Sequence, residues 1–138
     1  MISIGSARVS DKNNKLVEDI ELTQDRLIRG LNRVIKNDFV YLLDGHYCLL
    51  NSQKEIKKIE QGVFEFINPK VFVIVTEEIS IVAMRLFKRD NKKYDYTLLD
   101  KMQKMEINYA QFLSKSLKIP LVKVSSNEYS KLLKYIVL

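Results

Sequence analysis

The sequence predicts an α/β fold built on a parallel sheet, and two observations carry that prediction. First, "FVYLLDG" (39–45) and "KVFVIVTE" (70–77) are almost unbroken apolar runs. Such runs suit strands buried on both faces, whereas a half-exposed strand alternates. Second, stretches with apolar residues at helical spacing lie between these runs and a third strand candidate, "LVKV" (121–124). Helices alternating with buried strands make βαβ units with right-handed crossovers.

The elements follow in order. "MISIG" (1–5) reads as the end of a strand, and the polar stretch 6–19 as irregular. From Thr23, the residues Leu27, Ile28, Leu31, Val34 and Ile35 mark one face of a helix that Asn37-Asp38 ends. After the 39–45 strand, "IEQGVFEFI" (59–67) forms a second helix closed by Asn68-Pro69. The 70–77 strand leads into a helix with Ile79, Val82, Ala83, Leu86 and Phe87 on one side. A polar break, "KRDNKKYD" (88–95), separates it from a long helix over Tyr96 to Leu117. Leu99, Met102, Ala110, Leu113 and Leu117 line the buried side of that helix. Ile119-Pro120 introduces the last strand. Ser125 then N-caps a final helix, with Glu128 three residues on as a capping box.

In parallel α/β sheets, ligands bind beyond the carboxyl ends of the strands. Those ends carry Asp44-Gly45-His46, Thr76-Glu77 and Ser125-Ser126.

A chain of 138 residues suits one domain with a single core. Its 46% apolar and 29% charged content is that of a soluble globular protein. No apolar stretch approaches the ~20 residues of a membrane span, and no signal-peptide pattern opens the chain. A cytoplasmic protein without membrane contact is expected. Cys48, the one cysteine, reads as inert filling. The net charge of +6 suits a polyanion: nucleotide phosphate, nucleic acid or an acidic surface. However, the basic residues form no Arg/aromatic array, and no helix-turn-helix or zinc-knuckle spacing appears. Nucleic acid is therefore not the expected partner, and lysines spread over solvated helix faces account for the charge.

Five segments in order resemble a known family: "IELTQDRLIRGL", "VYLLDGHYCL", "INPKVFVIVTE", "AMRLFKRD" and "KMQKMEINYAQFLSKSLKIPLVKV". They are similar to the adenylate-kinase-like group of P-loop kinase-like ATPases, often labelled AAA family ATPases, from about Ile2 to Val124. The resemblance implies a three-layer P-loop NTPase-like sheet in one partial domain, 1–138, with a short lid-like turn near 88–96. One piece departs from the family pattern. These residues contain no first strand, no G-x-x-x-x-G-K-[ST] loop and no first helix, so they supply no backbone nest, phosphate lysine or Mg²⁺ hydroxyl. The missing strand would lie mid-sheet. Three arrangements meet that gap: a fragment, direct pairing of "VYLLD" with "VFVIV", or completion by another copy or a complementing chain.

The resemblance assigns roles to particular residues. Asp44 would hold Mg²⁺ beside ATP, as a strand-end acid does in that family; otherwise it is a turn Asp before a turn Gly. His46 would contact a phosphate or orient an acceptor hydroxyl, or simply cap the strand end. Arg85 and Arg89, with Lys88 beside them, would neutralise the transferring phosphoryl group as lid cations. The alternative is a solvated basic face paired with Asp90, Asp95 or Glu106. Gln24 and Arg29 fall loosely on the acceptor side, though helix-surface placement explains them equally. Ser125 and Ser126 lie where the family contacts adenine, and helix capping explains them too. Glu106 and Tyr109 read as structural.

Two functions follow as expectations. One is phosphoryl transfer from ATP to a small acceptor, with ATP and Mg²⁺ conditional on a phosphate loop from elsewhere. The other is a non-catalytic ATPase-like relic acting as an oligomeric binding module for a protein or nucleic acid.

Overall fold

A computed structural model describes residues 16–17, 20–125 and 127–136, with side chains from Gln24 onward. It is a mixed α/β structure with small sheets. The contacts divide the chain into two compact units, Met1–Asn68 and Pro69–Leu138. "MISIG" lies outside the described residues.

In the first unit, β1 (Leu16–Val17) precedes helix α1 (Ile20–Val34), then strands β2 (Cys48–Asn51) and β3 (Ile56–Lys58), then α2 (Gln61–Ile67). β1 runs parallel to β2 with Leu16 opposite Leu50, and β3 pairs antiparallel with β2. The sheet is thus mixed, in order β1-β2-β3. Cys48, Leu50, Ile59, Val63 and Phe64 are buried, and the Tyr47 and Phe64 rings stack at 5.7 Å. Cys48 fills core space, as its apolar neighbours suggest.

The strand expected at 39–45 does not form, and this is the main correction to the sequence reading. Residues 40–46 are irregular, and β2 begins at Cys48. Asp44-Gly45-His46 therefore precedes a strand where it was expected to end one. An apolar run becomes a strand only where its backbone groups meet a neighbouring strand. Here the run is used differently. The Tyr41 hydroxyl accepts from the Lys36 amide at 2.9 Å and donates to the Val34 carbonyl at 3.2 Å, closing the end of α1. Phe39, Val40 and Leu42 stay exposed, Phe39 at 66%. The direct pairing of "VYLLD" with "VFVIV" is accordingly not made.

Sequence reasoning also passed over the β2–β3 hairpin. Asn51 organises its turn: its side-chain oxygen accepts from the amides of Gln53 and Glu55, each at 2.9 Å. Lys54 takes the left-handed position, φ 62°, that a bulged three-residue turn needs. The Glu55 carboxyl lies below its usual range, first through its hydrogen bond from Asn51 and then through Lys57. α2 closes as its Asn68-Pro69 signal predicts. Asn68 adopts φ 47° and its amide donates to the Phe64 carbonyl at 2.9 Å.

In the second unit, β4 (Phe72–Thr76) and β5 (Leu121–Ser125) form a parallel pair, in register from Phe72–Leu121 to Thr76–Ser125. Helices α3 (Ile79–Asp90) and α4 (Tyr96–Leu117) lie between them in sequence. A short 3-10 turn (Ser130–Leu132) and helix α5 (Leu133–Ile136) follow β5. Asp95 starts α4 by accepting from the Thr97 amide at 2.9 Å. The helix ends at Lys118 in the left-handed conformation, φ 56°, before Ile119-Pro120. Leu99, Met102, Tyr109, Ala110 and Leu113 form its buried side. Leu99 joins Ala83 and Leu86 of α3 in an apolar cluster flanked by Ile79, Val82 and Tyr94.

Two details differ from expectation. β4 and β5 are not buried on both faces: Val75 is 52% exposed, and Lys123 and Ser125 face solvent. Among the described residues this ladder has only two strands. The capping box at Ser125 is not made either. Ser125 remains in β5 and bridges Glu128, whose side chain accepts from the Ser130 hydroxyl at 2.5 Å. With Ser125 still in strand geometry, the 3-10 turn begins only at Ser130, with Tyr129 at the N-cap position and no side-chain cap.

Leu113 is fully buried, whereas its neighbour Phe112 is 54% exposed. Leu113→Ala is expected to cost about 2–5 kcal/mol through lost burial and a residual cavity. Phe112→Ala is expected to cost under ~1 kcal/mol. Urea unfolding followed by tyrosine fluorescence checks both; equal losses would contradict this packing.

Candidate functional site

One polar cluster lies at the carboxyl end of β4, where parallel sheets place ligands. Gln103, on α4, makes a two-point amide bond with the backbone of Glu77. Its Nε2 donates to the Glu77 carbonyl at 3.0 Å, and its Oε1 accepts from the Glu77 amide at 3.2 Å. This clamp ties the strand end to the long helix. The Glu77 carboxylate accepts from the Glu78 amide at 3.0 Å and lies 3.6 Å from the Arg85 guanidinium. Arg85 is thus held beside an acid of its own chain.

A second cluster lies at the turn between α3 and α4. The side chain of Asp90 is 1% exposed and accepts from Arg89 and Tyr94. Arg89 reaches it through Nε at 2.5 Å and Nη2 at 2.6 Å, and Tyr94 through its hydroxyl at 2.6 Å. The paired, planar donors of arginine match the two carboxylate oxygens. Hydrogen bonding to Asp90 holds the Arg89 guanidinium above its usual value. The Tyr94 phenol is also raised, first by burial and then by its hydrogen bond to Asp90.

The remaining sequence-predicted residues are spread over both units. Asp44 and His46 sit exposed on the 40–46 segment of the first unit. Gln24 and Arg29 are on α1 of that unit, Gln24 buried at 7% and Arg29 exposed. No fully buried side-chain nitrogen or oxygen among the described residues lacks a hydrogen-bond partner. Arg85, Lys88 and Arg89 share α3 in the second unit. Ser125 ends β5, and Ser126 lies outside the described residues. Among the described residues, no three His, Cys, Asp or Glu side chains gather to hold a metal. No helix among them is long and apolar enough to cross a membrane.

Compared with protein-family models, curated proteins and solved structures, the chain matches none.

Sequence reasoning missed Gln103, because a glutamine between two methionines on a helix carries no motif. It also missed how the charge divides. Residues 1–68 hold ten Lys and Arg against ten Asp and Glu, whereas residues 69–138 hold thirteen against seven. The whole formal excess of +6 therefore lies in the second unit. Lys123 on β5, Lys131 in the 3-10 turn and Lys134 on α5 line one cleft of about 410 Å³ with Ser130 and Tyr135.

The raised Tyr94 phenol gives a pH prediction. Its contribution to stability is complete below about pH 10, the ordinary tyrosine value, and is lost as pH rises through the raised value. Above it, a phenolate would face the Asp90 carboxylate. The stability difference between wild type and Tyr94→Phe should therefore hold steady up to about pH 10 and shrink as pH rises beyond it. Urea titrations on both sides of that pH measure it; a pH-independent difference would contradict the assignment.

Proposed function

We propose that the chain is a non-catalytic binding module with ATPase-like ancestry, working through the positive surface of its second unit. The observation that carries this reading is the state of Arg85 and Arg89. Both are the cations expected to meet a transferring phosphoryl group. Instead each sits against a carboxylate of its own chain, Glu77 at 3.6 Å and Asp90 at 2.5 Å. Freeing Arg89 would leave the almost fully buried Asp90 carboxylate short of its charged partner, a costly exchange.

The donor set also argues against a magnesium–nucleotide centre in these residues. Asp44 is one exposed carboxylate on an irregular segment, whereas such centres need a phosphate cradle and a hydroxyl ligand beside the acid. Assembly with a second copy or a complementing chain belongs to the same proposal, and solution mass measurement tests it.

Phosphoryl transfer is the second reading, favoured by one observation. The Glu77–Arg85–Gln103 cluster stands at the carboxyl end of a parallel strand pair, the usual ligand edge. A phosphate loop from outside these 138 residues would then complete the site.

Isothermal titration of the chain with ATP and Mg²⁺ separates the two. The module reading expects no saturable heat at millimolar nucleotide. Saturable binding that Asp44→Ala abolishes would overturn it in favour of phosphoryl transfer.

A further inference from the structure

We propose that the cleft formed by β5, the 3-10 turn and α5 binds single-stranded nucleic acid, with lysines on the phosphates and Tyr135 against a base. This deepens the binding-module reading by naming its partner. Three elements each contribute one cation: Lys123 from β5, Lys131 from the 3-10 turn and Lys134 from α5. Lysines on one helix face are ordinary solvated surface; lysines converging from three elements on one concavity concentrate positive potential there. Among the described residues, no Asp or Glu lines the cleft. From Ile107 to the end of the chain, Glu128 is the one acid against five lysines. Its carboxylate accepts from the Ser130 hydroxyl and amide, which holds its pKa below the usual range.

The aromatic component decides between polyanions. The Lys134 ammonium lies over the face of the Tyr135 ring, 5.0 Å from its centroid, so a phosphate that draws the ammonium off the ring uncovers a flat surface beside the bound charge. A nucleotide presents the same pair, a phosphate one sugar away from a base. Basic grooves combined with aromatic platforms are how proteins hold single strands without reading sequence. Two competitors fit less well. A duplex is read by a helix or ribbon entering a groove, and α5 has only four residues. An acidic peptide would meet the three lysines but brings no phosphate-and-base pair to match Lys134 and Tyr135.

Fluorescence anisotropy with a labelled 12-nucleotide single strand, at several salt concentrations, tests the proposal on the full chain. Binding at micromolar protein in low salt is expected. Lys123→Ala/Lys131→Ala/Lys134→Ala should weaken it at least about tenfold and make the log–log salt slope shallower by roughly 2, about 0.7 per lost phosphate contact. Tyr135→Ala should weaken the oligonucleotide about tenfold and leave base-free inorganic polyphosphate unaffected. Lys36→Ala/Lys54→Ala/Lys58→Ala removes the same charge from the first unit and should change little. Three results would overturn the proposal: no oligonucleotide binding, equal weakening by the two triple variants, or polyphosphate binding as tightly as the oligonucleotide. Circular dichroism confirms that each variant is folded. Nucleotide titration and this assay fail independently. An absence of both ATP and oligonucleotide binding would remove the cleft proposal alone, whereas Asp44-dependent ATP binding would remove the non-catalytic reading.

Discussion

The second unit depends on the buried side of α4. Met102, Tyr109, Ala110 and Leu113 supply apolar surface, and Leu99 adds the link to Ala83 and Leu86 of α3. A two-stranded parallel pair has too little backbone pairing to stand in water on its own, so β4 and β5 need a helix against them. The Gln103 clamp then fixes where that helix meets the strand end. Because its amide both gives to and takes from the Glu77 backbone, it pairs a donor and an acceptor that would otherwise be unmatched at the end of the ladder. The Glu77 backbone is fixed by this clamp, and Arg85 is held through the Glu77 side chain. A packing interaction thus sets the geometry of the polar cluster.

Much of this was legible in the sequence, and the reason is local. Helix α4 announces itself by long apolar periodicity, a preceding Asp and a following Ile-Pro, and its bounds match the expected Tyr96 and Leu117. β4, β5 and α2 also lie where their patterns put them. The 39–46 segment was not legible for a physical reason. Apolar content reports what a segment gains by burial, but strand formation requires a hydrogen-bonding neighbour. Tyr41 found the end of α1 instead. The β2–β3 turn was hidden because Asn51-Ser52-Gln53-Lys54 contains no glycine. Its left-handed position is taken by Lys54, and the Asn51 side chain supports the turn. In both places a side chain bonded to backbone does what sequence patterns assign to a strand or a glycine.

The site was less legible than the fold, because residue type states what a group can do and not what it already does. Arg85 and Arg89 read equally as phosphate ligands or as ion-pair partners, and that choice rests on which acids lie within reach. Glu77 is eight residues before Arg85, brought there by the turn from β4 into α3. Asp90 is adjacent to Arg89, and Tyr94 is four residues further on, in the turn between α3 and α4. Neither pairing has a sequence signature. With Asp90 almost fully buried, its partners belong to the fold: losing one would leave a desolvated charge.

The same reasoning sorts the cations of the second unit by what surrounds them. A positive charge beside a buried carboxylate has its field largely cancelled, so Arg89 contributes little to the potential that an incoming anion meets. Among the described residues, Lys123, Lys131 and Lys134 line an open groove without an acid, and like charges gathered on one surface add their potentials. Counting charge along the chain treats these residues alike and yields a diffuse +6. Placing them in the fold separates cations that hold the structure together from cations directed at solvent. Arg85 and Arg89 of α3 fall in the first group, and the three lysines beside β5 in the second.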